Sequence, residues 1–185
     1  WQTHFVQGSG KGVVGDFAQS LGFEHSHGKE DYPFAGSRNK WGYMDDEIYR
    51  YALMQLAASD GPVLMAINTG TTHDHTLPHA AGYRFGWHGR DARRRSVLHH
   101  ADAALGRFVQ ALWQQSREPT LLVLVADHTA CPPMGGLACE AIPFAMLAIS
   151  AGKVKGGNLV YRCCRIWAQL WYYSIGVSHK EIYEH

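Results

Sequence analysis

Long apolar runs are missing from this 185-residue sequence. No stretch reaches the roughly 18 consecutive apolar residues that span a bilayer, and no basic-then-apolar signal segment opens the chain. Any membrane anchor or export signal is therefore expected upstream of residue 1; Trp1 in place of an initiator methionine carries the same expectation of a fragment or processed product. Charge is also scarce, at 18% of residues with a net charge of +1. The only basic run, Arg93-Arg94-Arg95, reads as a solvated helix start. Without a Lys/Arg stripe, the composition argues against a nucleic-acid partner, because phosphate-backbone affinity needs clustered cations. Cysteine is limited to Cys131, Cys139, Cys163 and Cys164, at spacings that match no zinc motif. If all four were oxidised, three pairings would be open. Cys163 and Cys164 read as small core residues, and a Cys131–Cys139 bridge would require an oxidising compartment. Repeats, low-complexity tracts and interdomain linkers are absent too, which leaves one domain over residues 1–185 as the expectation.

What is present is enough to build a globule: 46% of the residues are hydrophobic. Twelve histidines are many for this length and hint at metal chemistry, imidazole being the commonest metal ligand. Hydrophobic period orders the elements. A short strand over 3–6 runs into the turn Gly8-Ser9-Gly10-Lys11-Gly12, and a helix follows over 13–21, with Val14, Phe17, Ala18 and Leu21 at helical spacing and Gly22 as its C-terminal cap. The polar stretch 24–40 reads as an irregular surface loop that borders the active site. Asp45 and Asp46 open a helix to about residue 58, which Gly61-Pro62 ends.

Residues 63–67 form an apolar run of buried-strand type that feeds into Asn68-Thr69-Gly70-Thr71-Thr72-His73-Asp74-His75. A long helix is expected over 92–115, burying Val97, Ala101, Ala104, Leu105, Phe108 and Leu112, and a second buried strand over 121–126. Residues 142–149 form a third apolar run, and 166–175 reads as a closing helix. Strands alternating with helices predict an α/β fold with a mostly parallel sheet sandwiched by helices, whose chemistry collects at the carboxyl ends of the strands.

Two clusters fall at that edge. The apolar strand ending in Ala126-Asp127-His128 delivers a carboxylate and an imidazole side by side, a pair suited to a divalent metal ion. The bland alternative is that Asp127 caps a turn and His128 packs locally. Thr71-Thr72-His73-Asp74-His75 supplies hydroxyls, imidazoles and a carboxylate within five positions and reads as a substrate-contact loop.

The order of motifs resembles the sulfatase-type catalytic domain of lipoteichoic acid synthases and related phosphoglycerol transferases. The resemblance runs through the first strand and glycine turn, Ser20-Leu21-Gly22-Phe23, Asp31-Tyr32-Pro33, Lys40-Trp41-Gly42-Tyr43-Met44-Asp45-Asp46 and Thr71-Thr72-His73. It continues through Ala101-Asp102-Ala103-Ala104-Leu105-Gly106-Arg107-Phe108, Ala126-Asp127-His128 and Ile142-Pro143-Phe144, and is strongest over 3–150. It implies an alkaline-phosphatase/sulfatase-like domain, incomplete at its N-terminus, that transfers or hydrolyses phosphoryl groups of phosphoglycerol or similar phosphodiesters.

By the same resemblance, Asp127 and His128 are metal ligands for one divalent ion, Mn²⁺ or Mg²⁺, with Zn²⁺ or Ca²⁺ as alternatives. His73 is the catalytic and substrate-contacting histidine. His75 and Lys11 are substrate-binding candidates, and Asp102 and Gly106 are structural. The implied substrate is a phospholipid or a glycan-linked phosphodiester at the extracytoplasmic face of the cytoplasmic membrane or in the periplasm, with membrane contact only through upstream segments. A nucleophilic threonine and an acidic ligand are expected upstream of Trp1, so the isolated chain should turn over little or nothing. Three alternatives stay open: a sulfatase with a modified cysteine or serine nucleophile, a phosphodiesterase or phosphoethanolamine transferase, and a non-catalytic module that binds polyanionic envelope polymers.

Overall fold

A computed structural model describes residues 1–74, 76–78, 83–116, 118–127 and 144–149. Two compact units, Trp1–Phe108 and Val109–His185, divide the chain. In the first, β1 (Gln2–Gln7) is the centre of a three-stranded parallel sheet. The helix α1 (Gly12–Ser20) leads from β1 to β2 (His25–His27), which pairs on one side of β1 through His4↔His25 and Val6↔His27. The chain then crosses back. After a two-stranded antiparallel piece, β3 (Arg38–Asn39) and β4 (Gly42–Tyr43), the helix α2 (Asp45–Ala58) leads to β5 (Val63–Asn68), which pairs on the other side of β1 from Gln2↔Val63 to Gln7↔Asn68. The crossover from β1 to β2 and the crossover from β2 to β5 thus run in opposite directions across the sheet, and β1 and β5 end side by side at the carboxyl edge, where the chemistry of parallel α/β sheets collects.

The core explains why these strands sit where they do. Val6 and Ile48 are fully buried and join Tyr32, Tyr43 and Tyr51, so β1 is fixed against α2. Burying a side chain of the Val or Ile kind contributes about 1.5–3 kcal/mol. The Tyr32 ring stacks on Tyr43 at 4.6 Å and on Tyr51 at 4.2 Å between centroids, and its hydroxyl donates to the Gln7 carbonyl at 3.0 Å, which satisfies a polar atom that burial would otherwise penalise. The long helix α3 (Arg90–Gln115) buries all six residues that its period selects, from Val97 to Leu112. Phe108 stacks on Tyr49 of α2 at 4.5 Å.

Three expectations need correction. The stretch 24–40 is not wholly irregular, because His25-Ser26-His27 is a strand. α1 forms and ends at Gly22 in the left-handed region (φ +100°), yet Val14, Phe17 and Leu21 are exposed and only Gly15 and Ala18 are buried. β5 is partly open and not the fully buried strand expected, with Leu64 on a face of the sheet 54% exposed.

In the second unit β6 (Thr120–Val125) and β7 (Phe144–Ile149) pair antiparallel from Thr120↔Ile149 to Val125↔Phe144. Both expected strands are present, but Leu121, Val123 and Val125 are exposed and alternate with half-buried neighbours, as a two-stranded ribbon with one open face requires. The cysteines and the expected helix over 166–175 lie outside the described residues. Among the described residues no helix is long and apolar enough to cross a membrane.

Candidate active site

At the carboxyl end of β5 the chain turns through Asn68-Thr69-Gly70 into a short 3₁₀ turn, Thr71–His73. Within it the His73 amide donates to the Gly70 carbonyl at 3.3 Å, and a residue from α2 holds the turn in place. The buried Asp45 carboxylate accepts hydrogen bonds at Oδ1 from the amides of Gly70 and Thr71, both at 2.9 Å, while the Asp45 amide donates to Thr71 Oγ1 at 2.8 Å. Burial pushes the Asp45 carboxyl above the usual carboxylate range, against the Thr71 and Gly70 amides, which favour its charge. This reciprocal clamp closes the first turn of α2 onto the loop and leaves the His73 side chain exposed at the rim.

His73 has company there. Its ring lies 4.2 Å from the Trp41 ring, tilted by 58°. Trp41 is held by the β3–β4 turn, in which Asn39 Oδ1 accepts from the amides of Trp41 (2.8 Å) and Gly42 (3.2 Å). Gly42 has φ +145°, and a Cβ there would collide with the Gly8 carbonyl, so only glycine lets this turn approach the end of β1. Lys40 Nζ lies 5.6 Å from the Trp41 ring centroid and 3.5 Å from Asp74 Oδ2, which also accepts from Thr76 at 2.8 Å. An exposed imidazole, indole and ammonium therefore cluster there with the largely covered Asp74 carboxylate.

At the end of β1, Gln7 is buried; its Nε2 donates to the Lys11 carbonyl at 3.2 Å and its Oε1 accepts from Ser9 at 3.0 Å. Lys11, the residue before α1, pairs with Asp31 at 2.9 Å, and the Asp31 carboxylate also takes the Gly28 amide at 2.9 Å. Burial opposes ionisation of Asp31, but the Gly28 amide and the Lys11 ammonium outweigh it and hold the carboxyl below its usual range. The glycine turn thus carries a half-exposed, ion-paired cation at the strand edge from which the His73 loop also leaves.

Asp127 is exposed immediately after β6, in the second unit; His128 and His75 lie outside the described residues. Among the described residues no group of three or more His, Cys, Asp or Glu side chains could hold a metal ion. Asp127 alone is a carboxylate ligand candidate and not a complete site. The histidine excess has a different use in the first unit: His4 Nδ1 and His27 Nε2 are 3.0 Å apart with stacked rings, and the Tyr51 hydroxyl lies 3.1 Å from His27 Nδ1. The contributions of Trp41 and Asp45 were not legible from their own neighbourhoods. The available signals were the exposed-type aromatic in Trp41-Gly42 and the carboxylate at the first position of α2.

Solved structures share this architecture. A protein of the alkaline phosphatase superfamily from Vibrio parahaemolyticus superposes with a TM-score of 0.66 at 21% identity, covering 80% of this chain and 38% of its own. The lipoteichoic acid synthase LtaP from Listeria monocytogenes superposes at 0.64 with 15% identity, covering 84% of this chain and 44% of its own. The fold is that of the alkaline phosphatase superfamily, and the chain spans less than half the length of either structure. No curated protein matches the sequence. Residues 2–140 match the family described as Sulfatase, and the chain belongs to that family.

Proposed function

We propose that this chain is part of a phosphoryl-group transferase or hydrolase that acts on phosphoglycerol or similar phosphodiesters at the cell envelope, with residues 1–185 forming one partial catalytic domain. The observation that carries the reading is the exposed His73, held by the Asp45 clamp at the carboxyl end of β5 and backed by Trp41. Sulfatase-family membership and the fold shared with LtaP support it. Breaking a phosphodiester forms a P–O bond to the nucleophile and breaks the P–O bond to the leaving alcohol, whose oxygen needs a proton. His73 is the proposed donor of that proton and of a hydrogen bond to the developing charge, a contribution on the order of 10²-fold in rate.

Lys11 and His75 are the proposed anion contacts, Lys11 exchanging Asp31 for a substrate oxygen. Asp127 and His128 are the proposed ligands of one divalent ion, Mn²⁺ or Mg²⁺, which when bound polarises a phosphoryl oxygen. The proposed location is extracytoplasmic, with a phospholipid or glycan-linked phosphodiester as partner.

The family match equally favours a sulfuric ester hydrolase as a second reading. Both are tested in the full-length protein supplied with bis(4-nitrophenyl) phosphate and, separately, 4-nitrocatechol sulfate in the presence of Mn²⁺. Turnover of the phosphodiester, lost in Asp127→Ala, is expected, with little or none from the 185-residue chain alone. Turnover of the sulfate ester only would establish the second reading, and turnover of neither would leave a non-catalytic binding module.

A further inference from the structure

The turn that leads into α3 holds an indole out into solvent. Trp87 is 62% exposed, although large aromatic side chains contribute most to stability when buried. Its position is fixed by its neighbours. The Gly86 amide donates to the Tyr83 carbonyl at 3.0 Å, and the buried Ser96 hydroxyl accepts from the Phe85 amide at 3.1 Å, which ties the near side of the turn to α3. On the far side the Arg93 amide donates to the Gly89 carbonyl at 3.3 Å, and Arg93 Nη1 donates to the Trp87 carbonyl at 3.3 Å. Gly86 and Gly89 both have φ +85°, the left-handed region that glycine enters without strain, so Trp87 and His88 stand on a turn with a glycine at each end. The Trp87 ring packs only on another exposed ring, that of His88, at 4.5 Å.

The same segment concentrates charge of one sign. The unit over 1–108 holds eleven Lys and Arg against eleven Asp and Glu, yet Arg84, Arg90, Arg93, Arg94 and Arg95 fall within twelve positions whose one carboxylate is Asp91. Arg84 and Arg94 have contacts inside the molecule, and Arg95 lies 5.7 Å from the Phe85 ring centroid; these three add to the field of the segment. The contact groups are Arg90 and Arg93. Arg90 is exposed at the first position of α3, where a cation opposes the helix dipole and so does nothing for the helix itself. Arg93 donates to a neutral carbonyl of the Trp87 turn and keeps its charge beside the indole.

From this pairing of a presented indole with clustered guanidiniums we infer that the Trp87 turn and the start of α3 form a peripheral docking surface for an anionic lipid bilayer. Charge complementarity selects the partner: a bilayer rich in anionic headgroups attracts basic segments, and the attraction is lost beyond a Debye length. The indole selects a bilayer over a soluble polyanion, because an amphipathic ring settles at headgroup level with its apolar body toward the acyl chains. Neither signal is strong alone; together they supply the two that reversible membrane attachment needs. The contact is made by the described residues themselves and is independent of the chemistry proposed for His73.

The test is co-sedimentation of the 185-residue chain with vesicles of phosphatidylglycerol mixed into phosphatidylcholine, and with vesicles of phosphatidylcholine alone. Saturable retention on the anionic vesicles only is expected, falling away as salt is raised to about 0.5 M. Trp87→Ala should weaken it about tenfold, and Arg90→Gln and Arg93→Gln about fivefold each, all three variants melting as wild type does. Arg50→Gln, a cation on α2 outside the segment, should leave retention unchanged. No retention of protein with an intact thermal transition overturns the inference, as does equal retention on both kinds of vesicle. Retention that needs the arginines but is indifferent to Trp87→Ala overturns it too, since the segment would then be a site for polyanions of any kind.

Discussion

Asp45 carries more of the candidate site than any residue that touches its open rim. Its Oδ1 is the acceptor for two amides of the His73 loop, and its own amide holds Thr71 Oγ1; both bonds to Thr71 are buried and the one from Gly70 is half-buried. Asp45→Ala leaves two N–H groups unsatisfied, at about 1–3 kcal/mol each. A loss of about 2–5 kcal/mol in unfolding free energy is therefore expected from urea denaturation, with a smaller loss for Asp45→Asn, which keeps an acceptor. A midpoint unchanged in Asp45→Ala would show that the loop holds its shape without the clamp. The sequence displayed Asp45 as a favourable charge at a helix start; that it reaches a loop on the next strand is a tertiary fact that no local pattern encodes. Lys11 was legible as a cation in a glycine turn, but its partner Asp31 lies twenty positions on, in a stretch read as loop.

Among the elements, those with apolar period were readable and those built from polar residues were not. α3 showed its buried face in full because Val97 through Leu112 repeat at helical spacing. β2 was missed because His25-Ser26-His27 carries no apolar residue; it is a strand because β1 offers it a backbone edge and His4 stacks on it. That stack makes the β1–β2 pair sensitive to pH. Burial lowers the His27 pKa below 6.5, and His4, Asp31, His25 and Lys11 act on it in turn, with Asp31 alone raising it; burial likewise lowers His4, with His25 lowering and Glu24 raising it. A group depressed in the folded state leaves the unfolded chain to bind the proton first, so its stabilisation is present above about pH 6.5 and is lost as pH falls through the lower folded value. Thermal melting should fall as pH drops below that point, and His4→Gln combined with His27→Gln should flatten the slope. A slope identical in the double variant would place the sensitivity elsewhere, His99 being the next depressed imidazole.

For the whole molecule, the alternation of strands and helices pointed to a mostly parallel α/β fold, and the sulfatase family and alkaline-phosphatase-superfamily fold agree with the motif order from the glycine turn to Ala126-Asp127. The strand order was not legible: that β1 sits between β2 and β5 depends on pairings across tens of residues. Nor was the antiparallel pairing of β6 with β7, since an apolar run carries no mark of its direction. What ties fold to function is the claim that the β5 loop presents His73 as the proton donor. The most direct measurement is kcat/KM for the phosphodiester in the full-length protein, for wild type and His73→Gln. The account predicts a fall of about 10²-fold in His73→Gln, with no change in melting temperature. An unchanged rate would contradict it.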